Sequence, residues 1–149
     1  MRLRPALPED APALAGVHTD SFDAPWSPED LRQLIGGPGA LAVLAEDAQG
    51  LAGFILARAV AGEAEILTVA VEPRRRRCGL GSVLVEAAAG AARAAGAESL
   101  FLEVATDNAA GLRLYERAGF ERAGFRAGYY KREGAPPADA FVLRRDLTP

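Results

Sequence analysis

One stretch decides the fold: Val69-Ala70-Val71-Glu72-Pro73-Arg74-Arg75-Arg76-Arg77-Cys78-Gly79-Leu80-Gly81-Ser82. An apolar strand leads into a basic segment, named here the basic loop (residues 72–81), and a helix begins there. Backbone N–H groups at a helix start lack intrahelical partners and attract anions. The glycines at 79 and 81 let a phosphate approach these groups, and Arg76 and Arg77 add charged donors. Alone, this pattern is compatible with a pyrophosphate site or with a solvated basic turn, and it is neither a Walker loop nor a Rossmann fingerprint.

Outward from this loop, turn residues divide the chain into alternating strands and helices. The predicted strands are Arg2 to Ala6, Ala40 to Ala45, Leu51 to Val60, Glu63 to Val71, Glu98 to Val104, Phe120 to Tyr130 and Ala138 to Leu147. The predicted helices are Pro8 to Ser21, Pro28 to the break at residues 36–39, Gly81 to Ala95 and Asp107 to Ala118. This order predicts an α/β fold, with a mixed sheet of about seven strands and helices on both faces.

Composition limits the class of protein. The chain has 149 residues, half of them apolar, so we predict one domain over residues 1–149. A net charge of −3 gives no general attraction to nucleic acid or anionic lipid. Cys78 is the single cysteine, which excludes an internal disulfide or a cysteine-ligated zinc site, and no ligand cluster suggests another metal. Without a signal-peptide or membrane-length apolar segment, we expect a cytoplasmic protein with no membrane partner.

Glu103 interrupts an otherwise apolar strand. Period-two alternation places Phe101 and Glu103 on one face of that strand. A carboxylate in a buried strand must be paired, solvated or shifted in pKa. A salt bridge to an arginine and exposure at a strand end therefore compete with catalysis as explanations. Two further polar residues follow: Asn108 at the start of the next helix and Tyr115 near the same helical face.

Two spacings resemble signatures of the GNAT superfamily of acetyltransferases: Arg76-x-x-Gly79-x-Gly81 and Tyr115-x-x-x-Gly119-Phe120. The resemblance implies the GNAT acyl-CoA N-acyltransferase fold and acetyl-CoA as co-substrate. It also implies that Glu103 accepts a proton and that Tyr115, near the coenzyme sulfur, donates one. The coenzyme contacts that it implies are Val69, Ala70, Val71, Arg76, Arg77, Gly79, Gly81, Ser82 and Asn108.

Further segments are similar to the RimI family, the bacterial ribosomal-protein-alanine N-acetyltransferases: Asp23-Ala24-Pro25-Trp26-Ser27, Leu102-Glu103-Val104, Asn108-Ala109-Ala110 and Gly128-Tyr129-Tyr130. This resemblance implies acetyl transfer to the N-terminal amine of an alanine on a small-subunit ribosomal protein. The alternatives are a GNAT enzyme for a small amine, such as a polyamine or aminoglycoside, and a non-catalytic acyl-CoA-binding domain. Three segments depart from the residues that relatives often carry: Cys78, Ala105-Thr106-Asp107 and Ala127-Gly128. The last two differences weaken the assignment of the acceptor.

Other polar and aromatic residues have less specific interpretations. We interpret His18, on the first helix, as a partly buried surface histidine rather than a groove residue. Phe22 and Trp26 either wall a peptide site or pack in the core. Glu65 is the reserve candidate for the proton acceptor, because some GNAT enzymes place their base on that strand. The acids by the final hairpin are expected to be solvated: Glu133 and Asp139.

Overall fold

The computed structural model describes residues 1–19, 26–76, 78–130, 134 and 136–148. Within these residues, seven strands and four helices follow the predicted order, and the predicted fold class is confirmed. The strands are β1 (Arg2–Pro5), β2 (Ala40–Asp47), β3 (Gly50–Val60), β4 (Glu63–Val71), β5 (Ser99–Ala105), β6 (Glu121–Tyr130) and β7 (Ala138–Asp146). The helices are α1 (Ala11–Thr19), α2 (Pro28–Ile35), α3 (Leu80–Ala94) and α4 (Ala109–Arg117). Short 3₁₀ turns precede α1 and α3, at Pro8–Asp10 and Pro73–Arg75.

The strands form one mixed sheet in the order β1-β2-β3-β4-β5-β7-β6. The neighbouring strands are antiparallel, apart from the parallel pair β4 and β5. Strand β7 lies between β5 and β6, a position that the sequence pattern did not predict. It lies there because the second strand of the final hairpin pairs with β5 along its whole length.

Two apolar cores lie on opposite faces of the sheet. The α3–α4 core contains alternate residues of β5, namely Leu100, Leu102 and Val104. The α1–α2 core contains Leu14 from α1 and Leu31 from α2. Successive side chains of a strand point to opposite faces. The residues of β5 that alternate with these three, such as Phe101 and Glu103, therefore face the α1–α2 side.

A β-bulge divides β4. The register with β3 skips one residue between Ile66 and Thr68, so Leu67 has no partner opposite it. Ile66 faces the α3–α4 core, whereas Ala70, beyond the bulge, faces the α1–α2 core. The extra residue therefore reverses the faces of alternate side chains, and it bends the strand at this point.

Candidate active site

A gap opens in the middle of the sheet. Strands β4 and β5 pair at three positions, from Glu63 with Ser99 to Glu65 with Phe101. Beyond these positions β4 continues to pair with β3, and β5 continues to pair with β7. The two strands therefore separate at the bulge in β4, and a space remains between them.

Backbone groups of β4 face this gap. The N–H of Glu72 donates to the carbonyl oxygen of Ala52 at 2.8 Å. Backbone groups alternate between the two sides of a strand, so Ala70 also turns its N–H and C=O toward β3. Val69 and Val71 turn theirs toward the gap. Of the three β4 residues predicted to contact a coenzyme, Val69 and Val71 thus direct their backbone groups to the gap, whereas those of Ala70 belong to the pairing with β3.

Helix α3 begins without a side-chain cap. Its N-cap is Gly79, at φ +83°, a left-handed conformation that glycine adopts without strain. By contrast, Ser27 caps α2 and Asn108 caps α4, by accepting hydrogen bonds from backbone N–H groups. The start of α3 therefore lacks the side-chain acceptor that these two helices have, and its dipole favours an external anion. Ser82 is exposed in the same first turn.

The two glycines of the basic loop differ in role. A Cβ atom at Gly79 would have nothing within 4 Å, so this residue keeps the surface of the loop open. A Cβ atom at Gly81 would lie 3.3 Å from Cδ2 of Leu114 on α4. Gly81 therefore also permits the close packing of α3 against α4, a contact that the sequence pattern did not reveal.

The arginines of the basic loop have different partners. Arg75 is only 16% exposed, and its guanidinium binds Asp47 through two contacts of 2.5 and 2.9 Å. Hydrogen bonding to Arg75 lowers the pKa of Asp47 to about 2. Arg76 donates from Nε to the carbonyl oxygen of Val71 at 3.1 Å, which brings it to the gap end of β4. Arg77 lies outside the described residues.

Cys78 has a structural contact in the same loop. Its thiol donates to the carbonyl oxygen of Arg75 at 2.6 Å. This bond closes the loop on itself, while the Asp47 pair fastens it to the β2–β3 hairpin. The solvated basic turn that we considered as an alternative is therefore wrong for Arg75.

Asn108 and Tyr115 belong to α4. Oδ1 of Asn108 accepts the N–H of Gly111 at 3.0 Å, so this side chain has a capping role besides any coenzyme contact. Tyr115 is buried in the α3–α4 core. Its ring meets that of Phe120 edge-on, with 5.7 Å between the ring centroids.

Glu103 lies on the other face of the sheet, in a cleft of about 310 Å³ that we call the Glu103 cleft. Its side chain is 15% exposed. The reserve candidate, Glu65, lines the same cleft. The other side chains of the lining come from β3, β4, β5, β6 and β7 and include Arg58, Val60, Glu63, Phe101, Arg126 and Val142.

Two residues of β6 contact Glu103. Nη1 of Arg126 lies 3.1 Å from Oε1 of Glu103, so the predicted salt-bridge alternative exists. The Tyr129 phenol donates a hydrogen bond to the same carboxylate, which raises the pKa of Tyr129. Sequence reasoning missed both partners, because β6 carries irregularities of register on each side of Arg126. The resemblance at Gly128-Tyr129-Tyr130 was the signal that pointed to this region.

Glu103 and Tyr115 lie on opposite faces of the sheet. Tyr115 packs on the face to which Leu102 and Val104 point, whereas Glu103, between these two residues, points the other way. The gap between β4 and β5 is the opening in the sheet beside them. An acceptor on one face and a coenzyme on the other can therefore meet only where the strands part.

The prediction about His18 is wrong. His18 is 3% exposed and is not a surface residue. Its ring stacks on the Trp26 indole, with 5.0 Å between the ring centroids, and its Nδ1 accepts a hydrogen bond from the backbone N–H of Trp26 at 3.1 Å. Burial lowers the pKa of His18 to about 4. Trp26 packs against the α1–α2 core, as one of its two predicted roles required.

Asp139 accepts the N–H of Gly128 at 2.8 Å and so stabilises the irregular part of β6. Three predicted features lie outside the described residues: Phe22, residues 23–25 and Glu133.

In the ranges that the structure describes, no helix is long and apolar enough to cross a membrane. Within the same ranges, no group of three His, Cys, Asp or Glu side chains could hold a metal ion. The uncapped start of α3 and the gap beside it instead fit a ligand in which an anionic group is joined to an extended arm, as in acetyl-CoA. The loop suits the pyrophosphate, and the backbone groups of Val69 and Val71 suit the amides of the arm.

Known proteins are similar to this chain in sequence. Residues 11–120 match the Acetyltransferase (GNAT) family. The N-alpha-acetyltransferase RimI of Mycobacterium tuberculosis is 34% identical over 143 residues, which cover 92% of this chain and 87% of that protein. The ribosomal protein bS18-alanine N-acetyltransferase of Salmonella typhimurium is 34% identical over 125 residues, 81% of each protein.

Solved structures agree with this assignment. The crystal structure of the ribosomal-protein-S18-alanine N-acetyltransferase from Escherichia coli has a TM-score of 0.91 and 28% identity, and the match covers 99% of this chain and 94% of that chain. Arabidopsis thaliana NAA60 in complex with acetyl-CoA shares the fold, with a TM-score of 0.86, 20% identity and 97% coverage of each chain. Because the family match spans the basic loop, both strands of the gap, Glu103 and Tyr115, this chain belongs to the GNAT family of acetyltransferases.

Proposed function

We propose that this chain transfers the acetyl group of acetyl-CoA to the N-terminal α-amine of a protein. The proposed acceptor is an alanine at the start of a small-subunit ribosomal protein, in the cytoplasm. The observation that carries the proposal is the position of Glu103, which lines a cleft beside the gap in the sheet while Tyr115 lies on the opposite face. The named activity of the Salmonella relative, which covers four-fifths of this chain, supports the choice of acceptor.

The basic loop and β4 form the coenzyme side of the proposed site. Acetyl-CoA supplies an activated acetyl thioester when it is bound. The N-terminal dipole of α3 binds its pyrophosphate, and Val69 and Val71 offer backbone groups to its arm. The further proposed contacts are Arg76, Arg77, Gly79, Gly81, Ser82 and Asn108, whereas Ala70 is left out because its backbone pairs with β3.

Glu103 and Tyr115 move the protons. A protein N-terminus has a pKa of about 8, so it loses a proton to a carboxylate with modest assistance. Glu103 accepts this proton, directly or through water, while Arg126 and Tyr129 orient its carboxylate. Tyr115 donates a proton to the departing thiolate. Holding the amine and the thioester together at the gap supplies much of the rate.

A set of peptides tests the proposal. We expect acetyl transfer to a peptide that begins with alanine, slower transfer when the first residue is changed, and none when the N-terminus is blocked. Mass spectrometry locates the acetyl group, and an internal lysine in each peptide serves as the competing amine. Preferred acetylation of spermidine or an aminoglycoside would instead make this a small-amine enzyme. Tight acetyl-CoA binding without transfer to any amine would make it a binding domain.

A further inference from the structure

Thr68 carries a buried hydroxyl that the fold does not use. The residue is 6% exposed, and its Oγ1 has no hydrogen-bond partner among the described residues. An unpaired buried polar group costs about 1–3 kcal/mol, so a valine of the same shape would suit the folded chain better. This cost indicates that the hydroxyl serves a partner outside the chain.

The position of Thr68 identifies the face from which that partner comes. Thr68 follows the bulge at Leu67, on the β4 edge that β5 has left. It lies directly opposite Leu56, and residues opposite each other in an antiparallel pair share a face. Leu56 belongs to the α1–α2 core, so Thr68 points to that side of the sheet, which is also the side of Glu103.

The strand register relates Thr68 and Glu103 to the gap. Glu65 lies level with Phe101 in the parallel pair. The pairing ends there, and Glu103 lies two residues beyond that last pair on β5, whereas Thr68 lies three residues beyond it on β4. Glu103 and Thr68 therefore belong to the strand segments that border the gap on its two sides, and their side chains lie on the same face.

We propose that Oγ1 of Thr68 binds the acceptor amine and accepts one of its N–H groups. A neutral primary amine has two N–H groups and one lone pair. When the nitrogen bonds to the acetyl carbon, Glu103 takes one proton and the other N–H remains on the product amide. A hydroxyl on the opposite wall holds that second N–H and so directs the lone pair. This inference rests on the proposed function in that it assigns the acceptor to the Glu103 face.

Two substitutions separate the hydroxyl from the methyl group. Thr68→Val keeps the shape and removes the hydroxyl, whereas the control Thr68→Ser keeps the hydroxyl and removes the methyl. We expect kcat/KM for the acceptor to fall about ten- to a hundredfold in the valine variant, the usual effect of losing a hydrogen bond to a reacting or charged group. We expect it to stay within about threefold of the parent in the serine variant.

Stability should change in the opposite order. The melting temperature should be unchanged or higher in Thr68→Val, because a buried unpaired group has been removed, and lower in Thr68→Ser. Affinity for acetyl-CoA alone, measured by calorimetry, should be equal in all three proteins. A structural role for the hydroxyl would instead lower stability and activity together in the valine variant.

Two results would overturn the inference. One is full activity in Thr68→Val, and the other is a loss of acetyl-CoA affinity in that variant as large as its loss in kcat/KM for the acceptor. If the parent protein acetylates spermidine and not the alanyl peptide, the proposed function fails and the same comparison is made with spermidine. If the parent acetylates no amine, the affinity for a conjugate of coenzyme A and the alanyl peptide is measured in place of turnover. Equal affinity of the parent and the valine variant for that conjugate would also overturn the inference.

Discussion

The basic loop comes from one continuous stretch of chain, whereas the Glu103 cleft draws its side chains from five strands. In the loop, the main elements are backbone N–H groups and a left-handed glycine, which any chain with this local sequence can present. In the cleft, the main elements are side chains such as Glu103 and Arg126, which are 23 residues apart in the chain. The first site is therefore local in origin and the second is made by sheet pairing.

This difference explains where the structure departed from expectation. The loop has the predicted form, and two tertiary contacts are added to it: Arg75 with Asp47 and Gly81 with Leu114. The cleft acquired Arg126 and Tyr129, which no local pattern linked to Glu103. We therefore expect acetyl-CoA binding on the coenzyme side to be lost through changes in backbone and charge. On the acceptor side, we expect turnover to be lost through the removal of single side chains.

The largest effect is expected from Gly81→Glu on the coenzyme side. The new side chain begins 3.3 Å from Leu114 and brings a negative charge to the anion site, so binding of acetyl-CoA should be abolished. Calorimetry measures the affinity. Gly81→Ala separates the steric cause from the charge, and Gly90→Glu is the matched control, at an exposed position of α3 with nothing within 4 Å of its Cβ. A folded Gly81→Glu variant of normal affinity would contradict the assignment of the loop.

Glu103→Gln should have the next largest effect, on the acceptor side. It keeps the shape and loses the proton acceptor, so turnover should fall about a hundredfold while acetyl-CoA affinity stays the same. Stability should change little, because Arg126 is more than half exposed and remains solvated. Steady-state kinetics and melting curves on one preparation test both expectations. Glu63→Gln, in the same cleft, is the control. Normal turnover per folded molecule would move the role to Glu65.

Acid should destabilise the fold through His18 before it breaks the Asp47–Arg75 pair of the basic loop. The folded-state pKa of His18 is lowered to about 4, so its stabilising effect is present above the unfolded value of about 6.5 and is lost as the pH falls toward 4. Over this range the free energy of unfolding should drop by about 3 kcal/mol. The Asp47–Arg75 pair should persist, because the pKa of Asp47 is about 2.

The sequence contains one histidine, so a tag-free sample gives one set of imidazole NMR signals. We expect these signals to titrate near pH 4 in the folded protein, in parallel with denaturant unfolding curves between pH 4 and 7. A midpoint near 6.5 in the folded state would show that His18 is not buried against Trp26.

The smallest effect is expected from Asp47→Asn. It removes the charge that fastens Arg75, so the KM for acetyl-CoA should rise about three- to tenfold with kcat unchanged, since the loop is displaced and the chemistry is not. Glu86→Gln is the matched control. Glu86 also lies on α3, away from the basic loop, and it forms a bidentate ion pair with Arg145 of β7 that this substitution breaks. An equal rise in KM for both variants, or none for Asp47→Asn, would remove the Asp47–Arg75 pair from the coenzyme side.

The amino-acid sequence alone determined the order of the elements, the form of the basic loop and the exceptional character of Glu103. Each of these depends on residues close together in the chain, where periodicity, glycine and charge have direct local meaning. One histidine shows the limit of such reasoning: nothing around His18 in the sequence indicates that Trp26 will cover it.

The tertiary structure decided the rest. The bulge at Leu67 opens the gap, β7 enters between β5 and β6, and Thr68 and Glu103 come to one face across that gap. These features depend on strand register, and an extra residue in a strand reverses the faces of the residues beyond it. Register is set by the packing of all the strands and helices together. A local pattern therefore shows which residues could bind a ligand or transfer a proton, but not which of them lie close to one another.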